Sequence, residues 1–455
     1  MTRKHVVNKN DIVTLHIEDL TSDGNGVGKI DGYPLFIPRV IPGETAEVKV
    51  VKVNKRFGFG KLLTIIEKSE HRVEPDHQCS GCKMQHISYS LELDMKYNQV
   101  KNVLNKVAHL KDINVHPVIG MDNPWRYRNK VQMPIGERGG RLITGFYRER
   151  SHDIVESKEP CNIQHEMIDE LVDRTLQVMN NHGIKAYDEK RHQGDLRHIV
   201  IRIAEATNEA MIILVTRTKT LKHKNKIVEQ LKQQFPHVTS IVQNINSKRT
   251  NVILGNETNI LWGESYIYDE IGDLTFAISP RSFYQVNAKQ TRVLYEKALA
   301  YADISEDDIV IDAYCGIGTI SLFLAQKAKH VYGVEIVEEA IADAQLNARL
   351  NKLDNATFVQ GAAEDVMPKW TKEGIQPNVI VVDPPRKGCD ESLLHEMVKM
   401  NPERIVYVSC NPATLARDLA ILADEGYETK EIQPVDMFPQ TTHVECVSLL
   451  QRETI

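Results

Sequence analysis

Cysteine is scarce in this sequence: there are seven in 455 residues, at the irregular positions 79, 82, 161, 315, 389, 410 and 446. An odd number so spaced is no disulfide framework, which leaves ligands, nucleophiles or core side chains. Long apolar runs are missing as well. No stretch approaches the ~20 apolar residues of a membrane span, and residues 1–10 show neither an apolar core nor a cleavage site. The expectation is a cytoplasmic protein without membrane contact. Nor is there an excess of one charge. The 56 Lys and Arg against 62 Asp and Glu give a formal net charge of −6, so any contact with nucleic acid rests on local patches. Repeats and low-complexity tracts are absent, and the length suits about three domains.

Within residues 12–67, short β-rich runs alternate with turn signals: Val13-Thr-Leu-His-Ile17, Gly24-Asn-Gly-Val-Gly28, Pro34-Leu-Phe-Ile37, Val48-Lys-Val-Val-Lys-Val53 and Gly60-Lys-Leu-Leu-Thr-Ile-Ile66. Strands spaced by about ten residues predict a small closed barrel. Its later half carries Lys49, Lys52, Lys55, Arg56 and Lys61, with Phe57 and Phe59 among them. Cations beside stackable rings suit RNA; a sheet edge guarded by lysines is the plainer reading of the same pattern. A cysteine-bearing segment (71–86) and an amphipathic helix (91–110) follow. Residues 125–271 read as mixed α and β, with strands at 198–203 and 211–216 and a helix at 224–235. Beyond residue 279, apolar strands alternate with amphipathic helices, the pattern of a parallel sheet.

In that region the strand Asp308-Ile-Val-Ile-Asp-Ala-Tyr314 runs into Cys315-Gly-Ile-Gly-Thr319 and a helix over 320–327. Gly316 and Gly318 let a ligand approach the backbone at a helix N-terminus, although a lone Gly-x-Gly is weak evidence. Glu335 closes the next strand about 20 residues on, where a carboxylate accepts ribose hydroxyls. Together they predict adenosine binding. A dinucleotide site would place a third glycine at Ser321, and Asp312 ahead of the turn suits an ammonium group; both favour S-adenosylmethionine. The third strand (356–360) ends near Glu364 and Asp365, candidates for the adenine edge. The fourth (379–383) ends in Asp383-Pro-Pro-Arg-Lys-Gly388, an acid fixed by two prolines where ligands of such sheets bind.

The fifth strand (404–410) ends in Cys410 and meets Asn411-Pro-Ala-Thr414, which opens a helix over 415–425. The helix dipole is expected to lower the thiol pKa, which makes Cys410 the best nucleophile in the chain. A buried core cysteine is the plainer alternative, and it is the reading given to Cys315, Cys389 and Cys446. Near the end, His443-Val-Glu-Cys-Val-Ser-Leu-Leu450 reads as a strand with His443, Glu445, Val447 and Leu449 on one side. A carboxylate in so apolar a strand is costly to ionise, so Glu445 is a candidate general base with a raised pKa. A thiol, a carboxylate base and a methyl donor in one cleft are what methylation at carbon 5 of a pyrimidine needs. The target base must also leave its stack to reach them.

With Phe283-Tyr-Gln-Val-Asn287, Asp312-Ala-Tyr-Cys-Gly-Ile-Gly-Thr319, Asp383-Pro-Pro-Arg-Lys-Gly388, Val408-Ser-Cys-Asn-Pro-Ala-Thr414 and His443-Val-Glu445 in this order, the chain resembles the bacterial RNA (uracil-5-)-methyltransferases, in particular the branch acting on 23S ribosomal RNA. The N-terminal barrel, with Gly26-Val-Gly28 and Pro42-Gly-Glu44, resembles a TRAM domain, an RNA-binding module. The resemblance implies a multidomain fold: an OB-like TRAM β-barrel over 1–68, an α+β central RNA-binding domain over 69–90 and 125–272, and an α/β class I (Rossmann-like) methyltransferase domain over 91–124 and 273–455. It implies that Gln285, Tyr314, Glu335 and Asp383 contact S-adenosylmethionine, that Cys410 is the nucleophile and that Glu445 is the base. It also implies RNA as the partner, with no obligate protein partner. The barrel favours ribosomal over transfer RNA, because the transfer-RNA relatives usually lack it.

One departure concerns metal. Relatives carry a [4Fe-4S] cluster on a Cys-x5-Cys-x2-Cys run with a distant fourth cysteine. Here Cys79, Cys82 and Cys161 are present, but Val73 stands where the first belongs. Three thiolates completed by His77 or another group, a zinc site, a structural remnant and an empty site all stay open; loss of the normal cluster is the expectation. Rival activities are methylation of an exocyclic nitrogen, which Asp-Pro-Pro motifs also serve without a thiol, cytosine-5 methylation, and RNA binding without turnover.

Overall fold

The structure is a computed structural model of the chain. It describes residues 6–75, 79, 81–108, 113–148, 151, 153–156 and 159–452. Among these residues no helix is long and apolar enough to cross a membrane.

Five strands close a barrel in the order Ile12–Leu20, Asn25–Ile30, Tyr33–Pro38, Gly58–Glu67 and Thr45–Val53, the last pairing back to the first. Alternate residues such as Leu15 and Ile17, Leu35 and Ile37, and Val48 and Val50 point inward and are fully or nearly fully buried. The glycine-rich stretch becomes the second strand because the wall leaves no room for side chains there. A Cβ on Gly26 would lie 2.4 Å from Val40 Cγ2, and one on Gly28 would lie 2.1 Å from Leu15 Cδ1. Outside the barrel the Phe36 ring lies 5.5 Å from Phe57 and 5.9 Å from Phe59, with Lys52 Nζ 5.9 Å from the Phe59 centroid.

A seven-stranded central sheet runs in the order Glu257–Gly263, Val238–Ile245, Glu209–Thr216, Leu196–Ala204, Lys130–Arg138, Arg141–Tyr147 and Ile154–Glu156. Its one parallel pair, Glu209–Thr216 with Val238–Ile245, is joined by the helix Lys224–Gln234. That helix and Glu166–Asn181 cover one face through Ile168, Leu171, Ile227 and Leu231. From the other face Val200, Met211 and Ile213 pack with the hairpin Ile267–Ile271/Leu274–Ile278 and with Leu294 and Ile320 of the C-terminal region. One apolar core therefore runs through both units and fixes them against each other.

The C-terminal sheet has eight strands, in the order Ala356–Gln360, His330–Glu335, Ile309–Ala313, Val379–Val382, Arg404–Ser409, Glu445–Arg452, Tyr427–Val435 and Asn114–Val115. The first five are parallel. Chain order reverses on the two sides of Ile309–Ala313, the place where such sheets open a ligand crevice. The edge strand Asn114–Val115 comes from early in the chain, after a helix that spans Tyr89–Val103 and ends in a π turn, Leu104–Ala108; residues 109 and 110 of the expected helix lie outside the described residues. The final strand starts at Glu445, so His443 lies before it and not on its face. That strand is also interior, paired on both sides. The edge-strand alternative for Glu445 is thereby removed.

Candidate active site

The carboxyl ends of the parallel strands open onto one cleft of about 1200 Å³, which Arg128 and, from the central sheet, Lys130 and Gln132 also line. The first wall is the turn after Ile309–Ala313. Tyr314 takes a left-handed conformation, φ +71, and its N–H and that of Cys315 both donate to the Val334 carbonyl at 3.0 Å. Such strain in a non-glycine residue is held only where the surroundings over-determine it. At Gly316, φ +54, a Cβ would have nothing within 4 Å, so the backbone there is open to the cleft. Gly318 differs: its Cβ position lies 3.1 Å from Phe358 and 3.2 Å from Ala344, and the glycine lets the helix Thr319–Ala325 seat closely.

Asp312 is placed otherwise than its sequence position suggested. It lies behind the cleft wall at 1% exposure, accepts a hydrogen bond from the Ser321 hydroxyl, and leaves Oδ1 unpartnered. Burial raises its pKa to about 7. Glu335 does line the cleft; its Oε1 accepts from the Val337 N–H at 2.9 Å. Beside it Ile336 is an exposed apolar side chain on the same wall. Of the two adenine-edge candidates, Glu364 lines the cleft and Asp365 does not. Gln285 is buried at the wall, its carbonyl held by Asn129 Nδ2 at 3.2 Å, while Phe283 stands exposed beside it.

At the reacting end Asp383, Cys410 and Glu445 share the wall. Glu445 is 4% exposed, and burial together with the Asp383 charge raises its pKa; burial raises that of Asp383 too. For Cys410 the expected depression is reversed. Burial and the charges of Glu445 and Asp383 push the thiol up to about 11, with only the Arg386 guanidinium pulling the other way among the neighbouring side chains. A helix does begin at Pro412, capped by Asn411, whose side chain accepts from the Ala413 N–H. Burial, with the two acids next to the thiol, outweighs that dipole, whose effect fades within a turn. Asn411 Nδ2 and Thr414 Oγ1 donate to the Arg386 carbonyl at 3.1 and 3.3 Å, tying the Asp383 loop to the cysteine. Arg386, Phe283, Phe438, Lys130 and Arg128 also line the cleft but were given no role from sequence. Arg386 and Phe283 stand inside motifs of the family resemblance; Phe438, Lys130 and Arg128 do not. Cys315, Cys389 and Cys446 are buried, as expected.

The family model of the tRNA (Uracil-5-)-methyltransferases matches residues 88–453, and that of the TRAM domain matches residues 7–63. The chain belongs to the RNA uracil-5-methyltransferase family. An uncharacterized RNA methyltransferase of Oceanobacillus iheyensis is 61% identical over 449 residues, 98% of each chain, and one of Bacillus cereus is 55% identical over 450 residues, again 98% of each. Among solved structures, the tRNA (uracil-54, C5)-methyltransferase of Pyrococcus abyssi in complex with S-adenosyl-L-homocysteine is 29% identical. It superimposes with a TM-score of 0.78 over 96% of this chain and 99% of that one. The methyl donor of this methyltransferase family is S-adenosylmethionine. The residues present fit such a donor: the open backbone at Gly316, the carboxylate of Glu335 and the apolar side chain of Ile336 lie along one wall.

The three early cysteines converge, and Cys161 lines the same cleft. Cys79 and Cys161 Sγ are 3.1 Å apart, and all three sulfurs lie within 4.8 Å of one another. Among the described residues no fourth His, Cys, Asp or Glu joins them; His77 lies outside the described residues. Val73 offers no ligand atom, so this donor set does not fit a four-thiolate cluster.

Proposed function

We propose that this cleft transfers a methyl group from S-adenosylmethionine to carbon 5 of a uridine in 23S ribosomal RNA, with Cys410 as nucleophile and Glu445 as base. The observation that carries the reading is the meeting of a half-buried thiol with Asp383 and Glu445 at one end of a cleft whose other end has an open glycine turn beside Glu335. Tyr314, Glu335, Asp383 and Gln285 would hold the donor; one Glu335 oxygen serves the Val337 N–H, and the other is left for ribose hydroxyls. The division at residues 68, 90, 124 and 272 belongs to the same proposal, with barrel and central sheet gripping RNA.

Bound S-adenosylmethionine supplies an electrophilic methyl group. The resting Cys410 thiol is protonated and, being only half-buried, gives that proton up to solvent, a step the Arg386 charge favours. The sulfur then adds to carbon 6 of the extruded uracil, and the electron pair of the 5,6 double bond moves toward O4, which makes carbon 5 nucleophilic. Once carbon 5 is methylated, Glu445 takes its remaining proton; the pair re-forms the double bond and expels the Cys410 thiolate. A raised carboxylate pKa suits an acceptor that must work near neutral pH.

The preference for 23S ribosomal RNA rests on the motif resemblance. The barrel does not discriminate as expected, because the archaeal transfer-RNA enzyme covers 96% of this chain and the remaining 4% is far smaller than the barrel. That match supports a second reading, transfer RNA with the same chemistry. Incubation with donor and unmodified ribosomal and transfer RNA, followed by mass-spectrometric mapping of nucleosides, tests both. 5-Methyluridine in 23S RNA is expected; the same product in transfer RNA alone moves the substrate, and none in either overturns the reading.

A further inference from the structure

Two cations oppose each other across the central sheet. Antiparallel pairing of Lys130–Arg138 with Leu196–Ala204 sets Lys130 directly across from Arg202, so both side chains leave the same face of the ladder. Like charges so placed repel. Arg202 is 3% exposed; one Nη donates to the Ser282 carbonyl, and Nε has no partner. The acid that bears on it, Asp343, accepts the Ser279 hydroxyl at 2.8 Å. The charged groups bearing on Lys130 are Arg202 and Arg128, both cations. Arg128 spends its Nε on the Lys130 carbonyl at 3.1 Å, and both residues line the cleft.

An unpaired, partly desolvated lysine backed by a wholly buried arginine is unfavourable until an anion arrives. We infer that Lys130, backed by Arg202, is the seat of one backbone phosphodiester of the RNA substrate, beside the nucleotide that enters the cleft. This rests on the proposed RNA methylation at the same site. A phosphodiester fits better than the donor's carboxylate because Lys130, like Gln132, is carried by the central sheet, whereas Tyr314, Gly316 and Glu335 stand at the strand ends of the C-terminal sheet. Neutralisation by phosphate also restores the lysine's charge, since burial and its two cationic neighbours hold its pKa down at about 7. Through the Ser282 carbonyl, Arg202 further ties this seat to the segment bearing Phe283 and Gln285.

The test is the salt dependence of RNA binding by the full chain and its Lys130→Met variant, with the RNA that wild type methylates as probe and with S-adenosylhomocysteine affinity measured alongside. The slope of log K against log salt should fall by about 0.7 for one lost contact to a single strand. Binding at low salt should weaken on the order of tenfold, S-adenosylhomocysteine affinity should hold, and Lys130→Arg should keep the wild-type slope. Weaker binding with an unchanged slope would mean a structural role and overturns the inference. Loss of S-adenosylhomocysteine affinity with an unchanged RNA slope also overturns it, by giving the lysine to the donor carboxylate. Should Lys130→Met fail to fold, Lys130→Gln takes its place. Absence of methylation by wild type on any RNA defeats the functional reading instead, a result separable from an unchanged slope in an active enzyme.

Discussion

Lys96 Nζ lies 2.7 Å from Asp436 Oδ1, and both side chains are fully buried although 340 residues separate them in sequence. The same ammonium donates to Glu92 Oε1 at 2.6 Å and to the Phe438 carbonyl at 3.2 Å, so its three hydrogens are all used. Tyr89 Oη donates to the second Asp436 oxygen at 2.8 Å. The helix Tyr89–Val103 is thus bolted to the segment that leads into His443 and Glu445.

Lys96→Met should leave two buried carboxylates without their cation. Loss of one partner of a buried pair costs about 3–5 kcal/mol, and urea unfolding of the variant should show a loss of that size. A change of only about 0–1 kcal/mol, the range of exposed pairs, would mean that water reaches the network.

The Cys410 thiol, pushed up to about 11, should show an unusual labelling profile. Its folded pKa lies above that of a free thiol, so the neutral form persists and the thiolate fraction climbs about tenfold per pH unit through the alkaline range. Peptide-resolved iodoacetamide labelling of Cys410 should keep rising past pH 9. Arg386→Ala removes the opposing charge and should slow labelling further. A plateau near neutral pH would restore the dipole-activated thiol that sequence position alone suggests.

Much of the architecture was legible because it follows from local patterning. The alternation in 12–67 gave the barrel, and the apolar strands after residue 279, each ended by Glu335, Asp383 or Cys410, gave the sheet and its cleft. What was not legible depends on partners distant in sequence. The pKa of Cys410 is raised by burial first and then by Glu445 and Asp383, against the adjacent helix; Asp312 is claimed by Ser321; His443 falls outside the strand that its spacing implied. The glycine-rich strand Asn25–Ile30 owes its form to contacts with Val40 and Leu15. The opposition of Lys130 and Arg202 exists only once the register of two strands is known.

The cysteine group gives a separate expectation. With three converging sulfurs and a valine at the first family position, anaerobically purified protein should lack iron and sulfide at four-iron cluster stoichiometry. Cluster stoichiometry with strong visible absorbance would contradict this and would require a ligand other than the three cysteines.

The central claim is that Cys410 bonds to the uracil and Glu445 releases it. The most direct measurement is to incubate Glu445→Gln with donor and substrate RNA and look for a protein–RNA adduct that survives denaturing electrophoresis. The account predicts an adduct carrying the transferred methyl group, absent when Cys410→Ala is added and transient in wild type. Normal turnover by Glu445→Gln, or methylation that persists in Cys410→Ala, would contradict it.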